Sequence, residues 1–154
     1  MPRIALLFAV ALSTFFAAER VESDNGIRTM NAIERNVAAL LQSTADDAFL
    51  IIGISGTPDF IQMSGYRGTA LLDFPLITSR QKGLRESIEN ACKDLGLKKS
   101  VVSGSDGSEF LDYDLPSSAP QIADIVKTIL IKVYGAQKST ILEFEANGFG
   151  LPAT

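Results

Sequence analysis

At 154 residues, with 46% apolar and 21% charged side chains, the chain has the length and balance of one folded domain with a real core. Its 18 acidic residues outnumber 14 basic ones for a net charge of −4, which opposes the phosphate neutralisation on which nucleic-acid binding depends. Histidine is missing, which removes the commonest general base and metal ligand, and the single cysteine, Cys92, excludes an internal disulfide.

The chain opens with Arg3 and an apolar run from Ile4 to Ala18, a pattern shared with secretory signals. That run is shorter than the roughly 20 residues a membrane-spanning helix needs, so no stable span is expected. Residues 19–29 are polar and contain Gly26, the composition of a linker. The expected organisation is a leader with linker over residues 1–29 and a single domain over residues 30–154. Two readings of the leader stay open. A start near Met30 implies a cytoplasmic protein, and a cleaved signal implies a periplasmic one.

Asn31 followed by Glu34 has the form of a helix N-cap, and Ile33, Val37, Leu40 and Leu41 then share one face, predicting a helix over residues 31–43. Residues 48–55 are apolar at successive positions, which suits a central strand. After the turn Gly56-Thr57-Pro58-Asp59, a strand is expected over residues 60–63, a turn over 64–68, and a strand over 69–74 closed by Pro75. These make an antiparallel meander. Thr78 with Gln81 opens a second helix, whose apolar positions Leu84, Ile88, Ala91, Cys92 and Leu95 keep helical spacing up to a Gly96-Leu97 stop. A two-strand hairpin is predicted over 98–103 and 109–115, around the turn-rich residues 104–107. The third helix starts near Ser118 and Pro120, carries Ile122, Ile125, Val126, Ile129, Leu130 and Val133 as its stripe, and stops at Gly135. The tail reads as a strand or a short helix. The helix is preferred, because Thr140 with Glu143 forms a capping box and Asn147-Gly148 a stop. The fold class expected is therefore α+β in the order αβββαββα.

That order resembles the type III secretion chaperone-like fold shared by YbjN-like proteins and TY-Chap domains. The residues that carry the resemblance are Phe60-Ile61-Gln62, Leu72-Asp73-Phe74 before a loop, the segment from Leu84 to Leu95-Gly96-Leu97, and the stretch from Ile122 to Gly135, which is similar to the last helix of TY-Chap domains. The likeness covers residues 31–147. It implies binding of another protein, as a chaperone or adaptor, and carries no catalytic residue or cofactor with it.

Asp106, Glu109, Asp112 and Asp114 form the densest acidic cluster, but their spacing departs from a calcium loop; on a strand Asp112 and Asp114 share one face, so a solvated strand face is expected instead of a metal site. Asp46-Asp47 reads as the end of the first helix or the start of a turn. Gly53-Ile54-Ser55-Gly56 and Gly104-Ser105-Asp106-Gly107 satisfy neither a nucleophile elbow nor a phosphate loop and read as hairpin ends. Cys92 lies on an apolar stripe and reads as a core thiol. On the third helix, at about 100° per residue, Ile131 points roughly 180° away from Ile122, among Lys127, Thr128 and Asp124, and Tyr134 lies off the stripe's centre. Either the tail around Leu142 and Phe144 covers this second apolar face, or a partner does, which makes Ile131 and Tyr134 the candidate partner-binding residues.

The leading expectation is a non-enzymatic module that binds another protein, a secreted effector or toxin, with homodimer formation open. An immunity protein that neutralises a secreted bacterial toxin is the alternative. An enzyme using the 106–114 carboxylates with a divalent metal ranks below both.

Overall fold

The structure, a computed structural model, describes residues 29–103 and 108–152. It is an α+β fold in which six antiparallel strands form one sheet and the helices cover one side of it. A 3-10 turn, Met30–Ala32, leads into α1 (Ile33–Gln42). The meander follows as β1 (Phe49–Ile54), β2 (Phe60–Tyr66) and β3 (Thr69–Pro75). Then come α2 (Ser79–Gly83), α3 (Arg85–Asp94), β4 (Lys99–Ser103), β5 (Glu109–Asp114), α4 (Ala119–Tyr134) and β6 (Leu142–Asn147). The sheet order is β4-β5-β3-β2-β1-β6, so the β4–β5 hairpin joins the meander through β5. The leader and the turn at residues 104–107 lie outside the described residues.

Alternation along each strand decides which side is dry. Leu50, Ile52 and Ile54 of β1, Ile61 and Met63 of β2, Leu72 and Phe74 of β3, Leu111 and Tyr113 of β5, and Leu142 and Phe144 of β6 all point into one core. The helices supply Ile33, Val37 and Leu40 from α1, Ile88 and Cys92 from α3, and Ile122, Val126, Ile129 and Leu130 from α4. At about 25 cal/mol per Å² of apolar area removed from water, this layer contributes most of the stabilisation. Contact between α1 and the sheet is close at Gly65, where an added Cβ would stand 2.7 Å from Leu40 Cγ. A side chain there would have to displace the buried Leu40.

Several local signals act as read. Thr78 and Gln81 make the reciprocal capping box that starts α2. Gly96 and Gly135 end α3 and α4 with the Leu97 amide on the Cys92 carbonyl at 3.0 Å and the Ala136 amide on the Leu130 carbonyl at 3.0 Å. Four expectations need correction. First, Asn31 caps nothing: the chain already turns at Met30, whose burial with Ala32 anchors the segment, and the buried Asn36 amide donates to the Ala32 carbonyl at 2.7 Å. Second, the second helix is interrupted at Leu84, whose amide is shared by the Arg80 and Gln81 carbonyls, so α2 and α3 are separate. Third, β2 runs on to Tyr66. The turn is only Arg67-Gly68, with φ of 47° and 84°, the paired positive values of a tight hairpin turn that matches strand twist. Fourth, the tail is a strand and not a helix. Thr140 closes a turn with Gln137 instead of capping, and Leu142–Asn147 pairs with the whole of β1. Period-two alternation, with Leu142 and Phe144 inward and Glu143 outward, suits the free edge of β1 better than a helical period.

Candidate binding face and flanking cleft

The strand positions that alternate with the core face the side of the sheet opposite the helices. Strand register arranges them in rows. The central row runs Glu145, Ile51, Gln62, Asp73, Asp112 from β6 to β5. On one side of it lie Phe49, Ser64, Leu71 and Asp114, and on the other Gly53 with Phe60 and Pro75 with Phe110. Phe49, Ile51, Phe60, Leu71 and Phe110 are each only half-buried, whereas their neighbours on the helix side are closed to solvent. The same positions of β1, β2, β3, β5 and β6 hold five carboxylates, Asp73, Asp112, Asp114, Glu143 and Glu145, and no Lys or Arg. Arg67 stands at the rim, its guanidinium 4.8 Å from the Tyr66 ring centroid. The face mixes half-buried apolar side chains with carboxylates.

Asp73 is the unusual residue of that face. Gln62 donates to its Oδ2 at 3.1 Å, its Oδ1 is buried without a donor among the described residues, and Asp112 stands directly across the strand pair. Burial first, and the negative charge of Asp112 second, push the Asp73 carboxyl up to about 8. Glu145, at the far end of the row, is also raised by burial.

A cleft of about 250 Å³ lies at one end of the helix layer, walled by Pro58, Phe60, Phe74, Leu84, Ile88 and Tyr134. An ion pair stands at its edge. Asp59, only 7% exposed, accepts from Arg80 Nε at 2.7 Å and Nη2 at 2.6 Å, while the Arg80 side chain is 58% exposed. This bidentate bond ties α2 to the β1–β2 turn. Tyr134 is half-buried here, and burial together with the Asp59 charge holds its phenol above the ordinary tyrosine range.

The structure thus separates the two residues singled out on α4. Tyr134 packs into the molecule's own cleft. Ile131 is 45% exposed, so the expectation that the tail covers it fails: Leu142 and Phe144 are buried, but as strand residues of the helix-facing core. Asp112 and Asp114 share one face of β5 as expected, and Glu109 lies on the other. Glu109 pairs with Arg85, which lowers its pKa, on the helix side of β5, while Asp112 and Asp114 lie on the open side, Asp112 beside Asp73. Asp106 lies outside the described residues. Asp46 and Asp47 form the turn between α1 and β1, and Gly53-Ile54-Ser55-Gly56 ends the β1–β2 hairpin, where Ser55 Oγ donates to Glu143 at 2.7 Å. Cys92 is fully buried, and burial pushes its thiol up to about 12. The residue that sequence reading missed is Asp73, hidden inside Leu72-Asp73-Phe74. A lone acid in an otherwise apolar strand was the available signal. Among the described residues no helix is long and apolar enough to cross a membrane. No family model, curated protein or solved structure matches the chain.

Proposed function

We propose that the chain is a non-enzymatic protein-binding module, a chaperone or adaptor, whose working surface is the open side of the sheet. The observation that carries this reading is the asymmetry of the sheet: one side is sealed by helices, and the other presents half-buried aromatic and aliphatic side chains among carboxylates. Contiguous apolar surface rimmed by polar groups is characteristic of contact surfaces. The charge there favours a partner segment that is apolar and basic, because opposite potentials speed encounter and exclude wrong partners. A secreted effector or toxin is the partner class that the chaperone-like resemblance suggests. The helical alternative, a contact through Ile131, has a single exposed isoleucine behind it and stands second.

Site-specific photo-crosslinking in the native cell tests the reading. A crosslinker at position 71 or 110 should capture one defined protein, and capture should weaken as salt is raised. A crosslinker at position 131 should capture little. Capture at 131 with none at 71 or 110 would move the binding site to α4.

A further inference from the structure

We propose that Asp73 and Asp112 hold a single proton between them near neutral pH, making the β3–β5 seam a pH-sensitive joint that weakens as the proton leaves. The inference is independent of whether the open face binds anything. It starts from register: Asp73 and Asp112 are direct cross-strand neighbours pointing to the same side. Two ionised carboxylates in that position would repel, since like charges directly opposite destabilise a strand pair. Neither would have a donor for the other, and the buried Asp73 Oδ1 would have none from any described residue. One proton resolves both problems, because an O–H on one carboxyl donates to the other. Gln62 already donates to Asp73 Oδ2 at 3.1 Å, which leaves Oδ1 as the oxygen for the shared proton.

Among the described residues, no Lys or Arg faces Asp73 from β3 or from the strands on either side of it. From β2 the row presents Gln62, which is neutral, with Ser64 diagonal to it. From β5 it presents Asp112, paired across from Ser100 of β4, with Asp114 two residues on, its amide bonded to the carbonyl of the exposed Lys98. On β3 itself, Leu71 and Pro75 flank Asp73 on that face. The next titratable group of the row, Glu145, lies three strand spacings away, roughly 14 Å, and is largely screened at physiological salt. The nearby cation Arg85 is committed to Glu109 on the other side of the sheet.

Asp73 titrates at 3.8 when unperturbed and at about 8 in the fold. Its contribution to stability is therefore complete below the lower value and is lost as pH rises through the window between the two. Within that window this group alone changes the folding equilibrium by up to about tenfold per pH unit. Because the chain has no histidine, the amino terminus is the only other group that ordinarily titrates in its upper half. Glu145, the other carboxyl of the row raised by burial, is common to the unmodified chain and to Asp73→Asn, so the difference between the two isolates Asp73.

Two measurements on the full chain test the proposal. Carbon-13 NMR of the aspartate carboxyls should show one of them, assigned to Asp73 by its loss in Asp73→Asn, titrating near pH 8; an Asp73 midpoint near 4 would overturn the proposal. Urea unfolding of the unmodified chain from pH 5 to 8 should show a falling midpoint. Asp73→Asn keeps an acceptor for Gln62 and a donor for Asp112, so its midpoint should be nearly flat over the same range. Parallel pH slopes for the two proteins would overturn the proposal as well. If Asp73→Asn does not fold, Asp112→Asn serves in its place: the remaining carboxyl should titrate lower than in the unmodified chain, and an unchanged midpoint would show that the two acids share nothing.

Discussion

Leu71 and Leu72 are identical side chains on adjacent residues of β3, and they face opposite ways. Leu72 is closed to solvent among Met63, Tyr113 and the helix layer, while Leu71 is half-buried on the open side beside Ser64 and Asp114. The pair summarises the two sides of the sheet. On the helix side β1, β2, β3, β5 and β6 contribute apolar groups at alternate positions and charge is kept to the margins, as in the Arg85, Glu89, Lys99 and Glu109 network that ties α3 to β4 and β5. On the open side, apolar and acidic residues are mixed within each row. Hydrophobicity alone does not separate the two sides. Burial does, and it is set by which side the helices choose.

The largest effect that tests this comparison is truncation on the closed side. Leu72→Ala should destabilise the protein by about 2–5 kcal/mol, the scale for deleting a fully buried leucine where the cavity cannot collapse. Leu71→Ala, the same chemical change one residue away, should cost about 1 kcal/mol or less, since that side chain already contacts water. Urea unfolding of the two variants under one set of conditions gives the difference, and equal losses would mean that the open side is covered as tightly as the core. The smallest effect is expected on α4: Ile131→Glu should leave stability within about 0.5 kcal/mol, because a charge at a solvent-facing helix position displaces nothing. A loss of several kcal/mol by thermal denaturation would show that Ile131 is covered after all.

Much of the architecture was legible because the signals are local. The Thr78–Gln81 box, the Gly96 and Gly135 stops and the Ile122 to Leu130 stripe each depend on residues within a few positions of one another. What failed depends on distant partners. Thr140 and Glu143 have the spacing of a capping box, yet the free edge of β1 recruits the segment as a strand, and that edge lies far back in the chain. Asn31 loses its cap role to the burial of Met30 and Ala32, a tertiary effect. For the candidate site, Asp112 was visible as part of an acidic cluster, but the pairing that gives it meaning is with Asp73 on another strand. Register between β3 and β5 decides that, and a single sequence does not show it. Ile131 was correctly identified as pointing away from the stripe, whereas the position of Tyr134 in a cleft required the β1–β2 turn and α2 to be in place.

The claim that the open side of the sheet is the working surface is tested most directly by measuring partner binding and folding on the same variant. Leu71→Ser combined with Phe110→Ser removes apolar surface from the open side while leaving the helix-facing core intact. The account predicts that this protein retains a cooperative unfolding transition and loses binding to the partner captured at positions 71 and 110, with Ile131→Glu binding as tightly as the unmodified chain. Undiminished binding by the double variant, together with loss of binding in Ile131→Glu, would contradict it and place the contact on α4.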